Sequence, residues 1–307
     1  MLALRTAVRK VERLAYSPDG TRLAVGGPTG TEVIEADGGE TVAMLGWARN
    51  CSAAFGRTED RLFLASRNRQ VAVVNLANLL GPPEPHPDLY GVSYRLHDIQ
   101  LLPASDGWLA DGSDRYEVVR GTYGFPPPHT PCWSSLAHHS TFRTQVFHAF
   151  GDPLRVALLR TEVAEGGDHN KYLYLLDGDT GELIRRHRCG YGSVDHFTGS
   201  PCGGYLVGVR QATLVVWDTA ALHWPPQRWA NDSRKQFTGV AFHPHGRYLL
   251  TASNDKSVKL WDLTCGQVVR SYDWSAGRMR SVAVAPDGLT AAAGSDENLV
   301  VLFDLDL

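Results

Sequence analysis

QFTGVAFHPHGRYLLTASNDKSVKLWDLTCGQVVRSYD, from Gln236 to Asp273, decides how this chain folds. QFTGVAFHP alternates apolar and polar residues, with Phe237, Val240 and Phe242 as its apolar members. That period of two is the mark of a half-buried strand. HPHG then turns the chain, because Pro244 fixes φ and Gly246 tolerates a positive one. RYLLTAS is a second strand, SNDK a second turn, and SVKLWDL a third strand rich in β-branched and aromatic residues. TCG turns once more and QVVRSYDW is a fourth strand. The stretch therefore predicts a small antiparallel sheet of four short strands.

Outward from it the same unit recurs. VKLWD at Val258 to Asp262 has counterparts in VVWD (Val215 to Asp218), VLFD (Val301 to Asp304) and YLLD (Tyr174 to Asp177). A turn marker sits once per unit, at Pro18, Thr58, Pro103, Asp152, Pro201, Pro244 and Pro286, with gaps of 40 to 49 residues. From Pro286 through the C-terminus and round to Pro18 is 39 residues, one further unit. A period of this length signals a repeat architecture. Seven units without remainder, the seventh split between the two ends, predict a ring; an open stack would need polar capping units. Four-stranded units in a ring are the blades of a propeller. The expectation is an all-β, seven-bladed β-propeller forming one domain over residues 1–307.

The ends supply the closure. MLALRTAV, Met1 to Val8, alternates briefly and precedes a first strand near Val11 to Tyr16. It is expected to pair as the fourth, outer strand of the last unit, beside Asn298 to Asp304. Such pairing removes an open sheet edge that would otherwise template association with other chains. A frayed tail is the alternative. The start at Met1 and the full count of seven suggest a stand-alone ring.

At this point the chain resembles the WD-repeat family. Asn254, Asp255, Val258, Leu260, Trp261 and Asp262 carry the resemblance in the sixth unit. Ser295, Asp296, Leu299, Val301, Phe303 and Asp304 carry it in the seventh, and Leu214, Val216, Trp217 and Asp218 in the fifth. The family's Gly-His pair before each first strand is missing throughout. In that family a His, a turn Asp, a Ser or Thr and the Trp form a hydrogen-bonded set within a blade. The sixth unit offers Ser253, Asp255 and Trp261 but no His, so these blades are expected to rely more on packing. Units two to four are the most degenerate.

Composition bounds the function. Apolar residues make up 43% and charged residues 21%, ordinary globular values that argue against disorder. No run of 18 apolar residues occurs and the start lacks a secretion signal, so a cytoplasmic protein without a membrane partner is expected. Five widely spaced cysteines, none in a CxxC pair, read as reduced thiols. Asn50-Cys51-Ser52 and Asn231-Asp232-Ser233 match a glycosylation acceptor, which has no meaning without secretion. A net charge of −3 gives no reason to expect nucleic acid.

Catalytic signatures are missing too. There is no HExxH, GxSxG, P-loop or dinucleotide fingerprint. His97-Asp98, Asp195-His196 and His138-His139 are neighbours on strands and face opposite ways. Asp168 and His169 are two potential metal ligands on a polar loop, Thr161 to Lys171, expected to project; two ligands make a poor site. No enzyme activity, cofactor or metal is expected. The strand-ending Asp residues repeat from unit to unit, as a structural role predicts. Leu79 to Pro87 and Gly124 to Pro131 are Pro-rich and read as loops between third and fourth strands, either stiff spacers or polyproline ligands.

Surface recognition remains. In the resembled family, the connections from fourth to first strand and from second to third lie on one face around the central channel. The first class offers Trp47, Arg49, Arg143, Tyr191, Arg234, Trp274, Arg278 and Arg280, and the second offers Arg210. Trp, Tyr and Arg dominate binding interfaces, and Arg grips a carboxylate with two bonds. Singly, each Trp is equally readable as packing between blades. The expected function is a monomeric, non-catalytic scaffold for a protein or peptide, acidic in character. The alternative is a ligand-binding or hydrolytic propeller with its site in the central channel.

Overall fold

The computed structural model describes residues 1–49, 52–56, 60–65, 71–78, 84–85, 96–101, 107–112, 117–122, 133–134, 142–163, 169–189, 194–219 and 226–307. Among them, 28 strands form seven four-stranded sheets; six are ordered by sequence from first to fourth strand, and the seventh runs β26, β27, β28 and then β1. The chain divides into two compact units.

The first unit comprises Met1–His86, Gln211–Thr213 and Trp229–Leu307. One of its sheets is β2 (Arg13–Tyr16), β3 (Arg22–Gly27), β4 (Gly30–Glu35) and β5 (Thr41–Leu45). The next is β6 (Ser52–Phe55), β7 (Arg61–Ala65), β8 (Val71–Asn75) and β9 (Glu84–Pro85). The stretch quoted at the outset becomes β22 (Phe237–Phe242), β23 (Tyr248–Ser253), β24 (Ser257–Asp262) and β25 (Gln267–Asp273). The last three strands, β26 (Met279–Val284), β27 (Thr290–Ser295) and β28 (Leu299–Asp304), take β1 (Leu2–Arg5) as their fourth. β1 pairs antiparallel with β28, Leu2 opposite Leu302 and Arg5 opposite Leu299. The N-terminal run is thus the outer strand of the last sheet, as its alternation predicts.

The second unit comprises Pro87–Arg210 and Leu214–Arg228. It holds the sheet of β10 (Leu96–Leu101), β11 (Gly107–Gly112), β12 (Glu117–Thr122) and β13 (Trp133–Ser134). It also holds that of β14 (Phe142–Phe150), β15 (Arg155–Val163), β16 (His169–Asp177) and β17 (Leu183–Cys189). Most of the sheet of β18 (His196–Gly199), β19 (Tyr205–Arg210), β20 (Thr213–Asp218) and β21 (Gln227–Ala230) belongs to it as well.

The turns repeat as closely as the strands. Between first and second strands the same bond recurs: Gly20 N–H to Ser17 O, Gly203 to Ser200, Gly246 to His243 and Gly288 to Ala285, all at 2.8–2.9 Å. Each donor is a glycine with φ between +72° and +77°, the conformation only a residue without Cβ takes at no steric cost. The cores lie between successive sheets. Leu250, Leu260, Met279, Val282 and Phe303 form one, and Val11, Leu23, Ile34, Val300 and Leu302 another. In the second unit Phe150, Leu159, Val194, Phe197 and Trp217 do the same. Sheets approach closely because Gly239 on β22 meets the backbone of β26, where a Cβ would stand 3.0 Å from Ser281 Cα.

Two loop expectations are corrected. Leu79 to Pro87 is not wholly a loop: Glu84–Pro85 is the outer strand β9. Pro is tolerated there because an edge strand has one side without ladder bonds. Thr161 to Lys171 is also largely strand, since β15 and β16 stay paired out to Val163 opposite His169. Gly124 to Pro131 and Asp168 lie outside the described residues.

Candidate interaction surface

In each sheet the fourth strand ends where the first begins, so these connections sit at one end of the sheets, together with the turns from second to third strand. The first unit has four such connections with described residues. After β1 come exposed Arg9 and Lys10, after β5 Trp47 and Arg49, after β21 Arg234 and Lys235, and after β25 Arg278. Lys10, Arg234 and Ser275 occupy equivalent connections with φ of 50°, 58° and 54°. Left-handed non-glycine residues are uncommon and are held in place by their surroundings.

The connection before β22 is the best anchored. Asn231 is 1% exposed. Its Nδ2 donates to Lys235 O (2.9 Å), Ser253 Oγ (2.9 Å) and Asp255 Oδ2 (3.1 Å). Its Oδ1 accepts from Lys259 Nζ at 2.8 Å, and Lys259 is itself buried. Asp232 adds a carboxylate 3.7 Å from the same ammonium. Burial would raise the Asp255 carboxyl, but bonds from Ser233, Ser257 and Asn231 outweigh it and hold the group at about 2. Asn231 therefore supplies the partner that the missing His leaves open. Trp261 Nε1 donates separately to Thr251 Oγ1 at 2.9 Å, and its ring stacks 6.0 Å from Trp229. This sheet thus has a hydrogen-bonded set built on Asn231 beside the packing that the missing His led one to expect.

Four first strands also carry a register slip. The registers of β10, β22 and β26 slip at their second residue, His97, Thr238 and Arg280 respectively, and that of β14 at its fourth, Gln145. A bulge adds an unpaired residue and turns its neighbourhood outward. Thr238 Oγ1 donates to Met279 O at 2.7 Å. Arg280 Nη2 reaches Asp296 Oδ2 at 3.4 Å, and its Nε has no hydrogen-bond partner among the described residues. Arg278 N–H donates to Asp296 Oδ1 at 2.8 Å. Gln145 and Thr238 carried no sign in the sequence, and His97 drew notice only for its neighbour Asp98, because a bulge is a register property that periodicity does not show.

The remaining candidates fall as follows. Trp47 is 51% exposed, and Arg49 beside it donates to Gly46 O at 3.2 Å. Trp274 is half-buried, with its ring 5.6 Å from Tyr272 and 4.6 Å from Phe303. Much of it is therefore occupied by packing. Arg234 is exposed in its turn. Arg210 is exposed as the last residue of β19 rather than in the following turn. Arg143 lies inside β14, opposite Thr161, and not in a connection. Tyr191 lies outside the described residues.

Carboxylates in the turns at the other end of the sheets are committed to local bonds. Asp19 accepts from Ser17 and Thr21, Asp177 from the Asp179 and Thr180 N–H groups, and Asp262 from Thr264 and Arg247. Arg247 is the main reason Asp262 is held at about 2. Glu32, 5% exposed, accepts from Ala7 N–H and Thr41 Oγ1. Among the described residues no group of three or more His, Cys, Asp or Glu side chains is placed to hold a metal. Nor is any helix there long and apolar enough to cross a membrane. Cys189, Cys202 and Cys265 are free thiols, and burial raises that of Cys189 to about 11.

Comparison with known proteins agrees with this geometry. Residues 231–262, from Asn231 to the end of β24, match the family described as WD domain, G-beta repeat. The chain is 27% identical over 194 residues to nuclear distribution protein PAC1 of Arthroderma otae, covering 59% of this chain and 39% of that protein. It is 40% identical over 68 residues to COMPASS component SWD1 of Saccharomyces cerevisiae, covering 21% and 16% respectively. The chain thus spans well under half the length of these curated relatives. Among solved structures, the β-propeller domain of Myceliophteria thermophila Cps50 (Swd1) superposes with a TM-score of 0.73 at 14% identity, over 99% of this chain and 100% of that one. With seven four-stranded sheets among the described residues and that likeness, the chain has a β-propeller fold, and its residues 231–262 are similar to one repeat of the WD domain, G-beta repeat family.

Proposed function

We propose that this chain is a non-catalytic scaffold that docks an acidic protein segment on the sheet end carrying Trp47, Arg49, Arg234, Arg278 and Arg280. One observation carries the reading: all four described fourth-to-first connections of the first unit expose a cation, and one adds a half-exposed Trp. Exposed Trp and Arg are the side chains that most often anchor interfaces, and guanidinium groups select carboxylates. In the second unit, taken by itself, exposed Arg210 at the end of β19 is a further proposed contact. The commitment of Asp19, Asp177, Asp255 and Asp262 to turn bonds suits a framework better than a reaction centre. A monomeric ring acting as one domain in the cytoplasm completes the proposal.

The test is affinity capture from the native cell with the wild type and with Arg49→Glu/Arg278→Glu. Both positions are exposed, so the fold should persist. Partners lost by the double variant support the reading; every partner retained refutes it. Melting in the presence of divalent metals tests the channel-site alternative, since a ligand that binds only the folded state raises Tm.

A further inference from the structure

We propose that the outer rim of the sheet β2 to β5 anchors an acidic segment of another protein, one bulky apolar side chain resting on Met44 and Trp47 and two carboxylates on Arg9 and Lys10. This rests on the docking function proposed above and names what one part of that surface takes. Met44 is 43% and Trp47 51% exposed. They stand three residues apart, Met44 on the outer strand β5 and Trp47 in the connection that follows it. The pair therefore lies at the rim, away from the first strands. An exposed Trp supplies a rigid anchor, and a neighbouring thioether adapts to the shape laid against it.

The turn from β3 to β4 joins this apolar pair to the cations. On one side, Gly27 lies against the main chain of Arg9 and Lys10, where a Cβ would stand 2.6 Å from either carbonyl oxygen. Arg9 N–H donates to Thr29 Oγ1 at 2.9 Å, and Lys10 N–H donates to Asn298 Oδ1 at 3.1 Å. On the other side, a Cβ on Gly30 would stand 3.1 Å from Met44 Cε and 2.8 Å from Leu45 O. Thr31 Oγ1 donates to Ala48 O at 3.0 Å, which ties down the connection carrying Trp47. The Met44 thioether thus rests over a residue without a side chain, next to the hydroxyl that holds Arg9. The main chain beneath all four side chains is fixed before anything binds, which lowers the entropy cost of capture.

Spacing and charge select the occupant. Arg9 sits beside the end of β3 and Met44 on β5, two strand spacings or about 10 Å apart, which an extended peptide covers in about three residues. The matching segment carries its apolar residue three and four positions from a pair of acids. From Arg5 to Arg13 the chain holds Arg5, Arg9, Lys10 and Arg13 against the single acid Glu12. A second copy presenting the same strip would set like charges together, whereas carboxylates are attracted.

Fluorescence polarisation of the full chain with the labelled, capped peptide GSFGSDDGS, and with its reversed sequence, tests the idea. At least one order should bind with Kd below about 1 mM, more weakly as salt rises. Exchanging its Phe for Ser, or both Asp for Lys, should weaken binding about tenfold or more. Trp47→Ala, Met44→Ser and Arg9→Glu should each do the same, and Arg278→Glu should leave the affinity within about twofold. The two exchanged peptides probe the unaltered protein, so the answer does not depend on how the variants fold. The proposal is overturned if neither order binds, if the Lys peptide binds as well as the Asp peptide, or if Trp47→Ala and Arg9→Glu change nothing. Binding lost on Arg278→Glu but kept on Trp47→Ala overturns the anchor and leaves the wider docking surface standing. Partners all retained by Arg49→Glu/Arg278→Glu in affinity capture, with the peptide bound as expected, refute the wider surface and support the strip.

Discussion

Replacing Asn231 with alanine removes four hydrogen bonds at once from the connection before β22. Two of them involve charged partners, Lys259 and Asp255. The backbone carbonyl of Lys235 and the Ser253 hydroxyl can find water or alternative donors near the surface. Lys259 cannot do so easily, because it is 8% exposed and its other partner, the Asp232 carboxylate, lies at 3.7 Å on a side chain that is 87% exposed. Leaving a buried ammonium with one screened partner costs on the order of 3–5 kcal/mol. Unfolding entropy near 2.1 cal/mol/K per residue implies a Tm loss of about 5–8 °C if the 307-residue chain melts as one unit. Scanning calorimetry with urea titration checks it, together with Asn231→His, which keeps a donor and an acceptor and should recover at least half the loss. A second variant, Asn231→Leu with Lys259→Met, removes the buried charge and should be milder than Asn231→Ala. A loss below about 1 kcal/mol for Asn231→Ala, or a double variant worse than the single one, would refute the reasoning.

Other expectations are as direct. His243, 4% exposed, donates from Nε2 to Gly288 O at 2.9 Å and accepts the His245 N–H on Nδ1 at 3.2 Å, so the neutral ring satisfies both neighbours. Burial holds its pKa below the usual value, with the nearby His245 acting in the same direction and the Gly288 carbonyl and Asp287 opposing it. The unfolded chain binds the proton more readily, so this contribution is complete above about pH 6.5 and is lost as pH falls toward the folded value; His243→Asn should flatten that limb of a Tm-against-pH curve. Gly288→Ala should cost about 2–4 kcal/mol, since φ is +74° and the new Cβ would stand 2.6 Å from His243 Nε2; denaturant midpoints measure it. Asp255, held at about 2 against an ordinary 3.8, stabilises above pH 4 and loses that contribution as pH falls toward 2. Solvent screening limits it to about 1 kcal/mol, and Asp255→Asn should erase this acid dependence in urea titrations at graded pH. Deleting residues 1–8 removes β1 and the fully buried Val8, bares the edge of β28, and should cost at least about 3 kcal/mol and promote association; a truncated chain that stays monomeric by light scattering with an unchanged melt would contradict the pairing of the chain ends.

Much of the fold was legible because its signals are local. Phe237, Val240 and Phe242 alternate within a single strand, and Pro244 with Gly246 makes a turn wherever it stands. The bond from Gly246 N–H to His243 O spans three residues, and the same bond recurs at Gly20, Gly203 and Gly288. Where local signals weaken, the reading lost accuracy: Glu84–Pro85 passed for loop because Pro is admitted to a ladder only at an edge, and edges are settled by neighbours. The candidate surface was less legible. Trp47 and Trp274 look alike in sequence, each at the end of a fourth strand, yet one is half-exposed and the other stacks on Tyr272 and Phe303.

The sequence by itself determined the number of repeats, the four strands within each, the turns between them and the capture of β1 by the last sheet. Alternation and turn chemistry act over a few residues, and a fixed period carries them the length of the chain. Only the tertiary structure decided that Asn231 braces Lys259 across 28 residues, that Arg280 sits on a bulge, and that Arg186 stands over Tyr172. Those depend on which side chains meet once sheets are stacked and registers set, and a contact between distant positions leaves no mark on either segment alone.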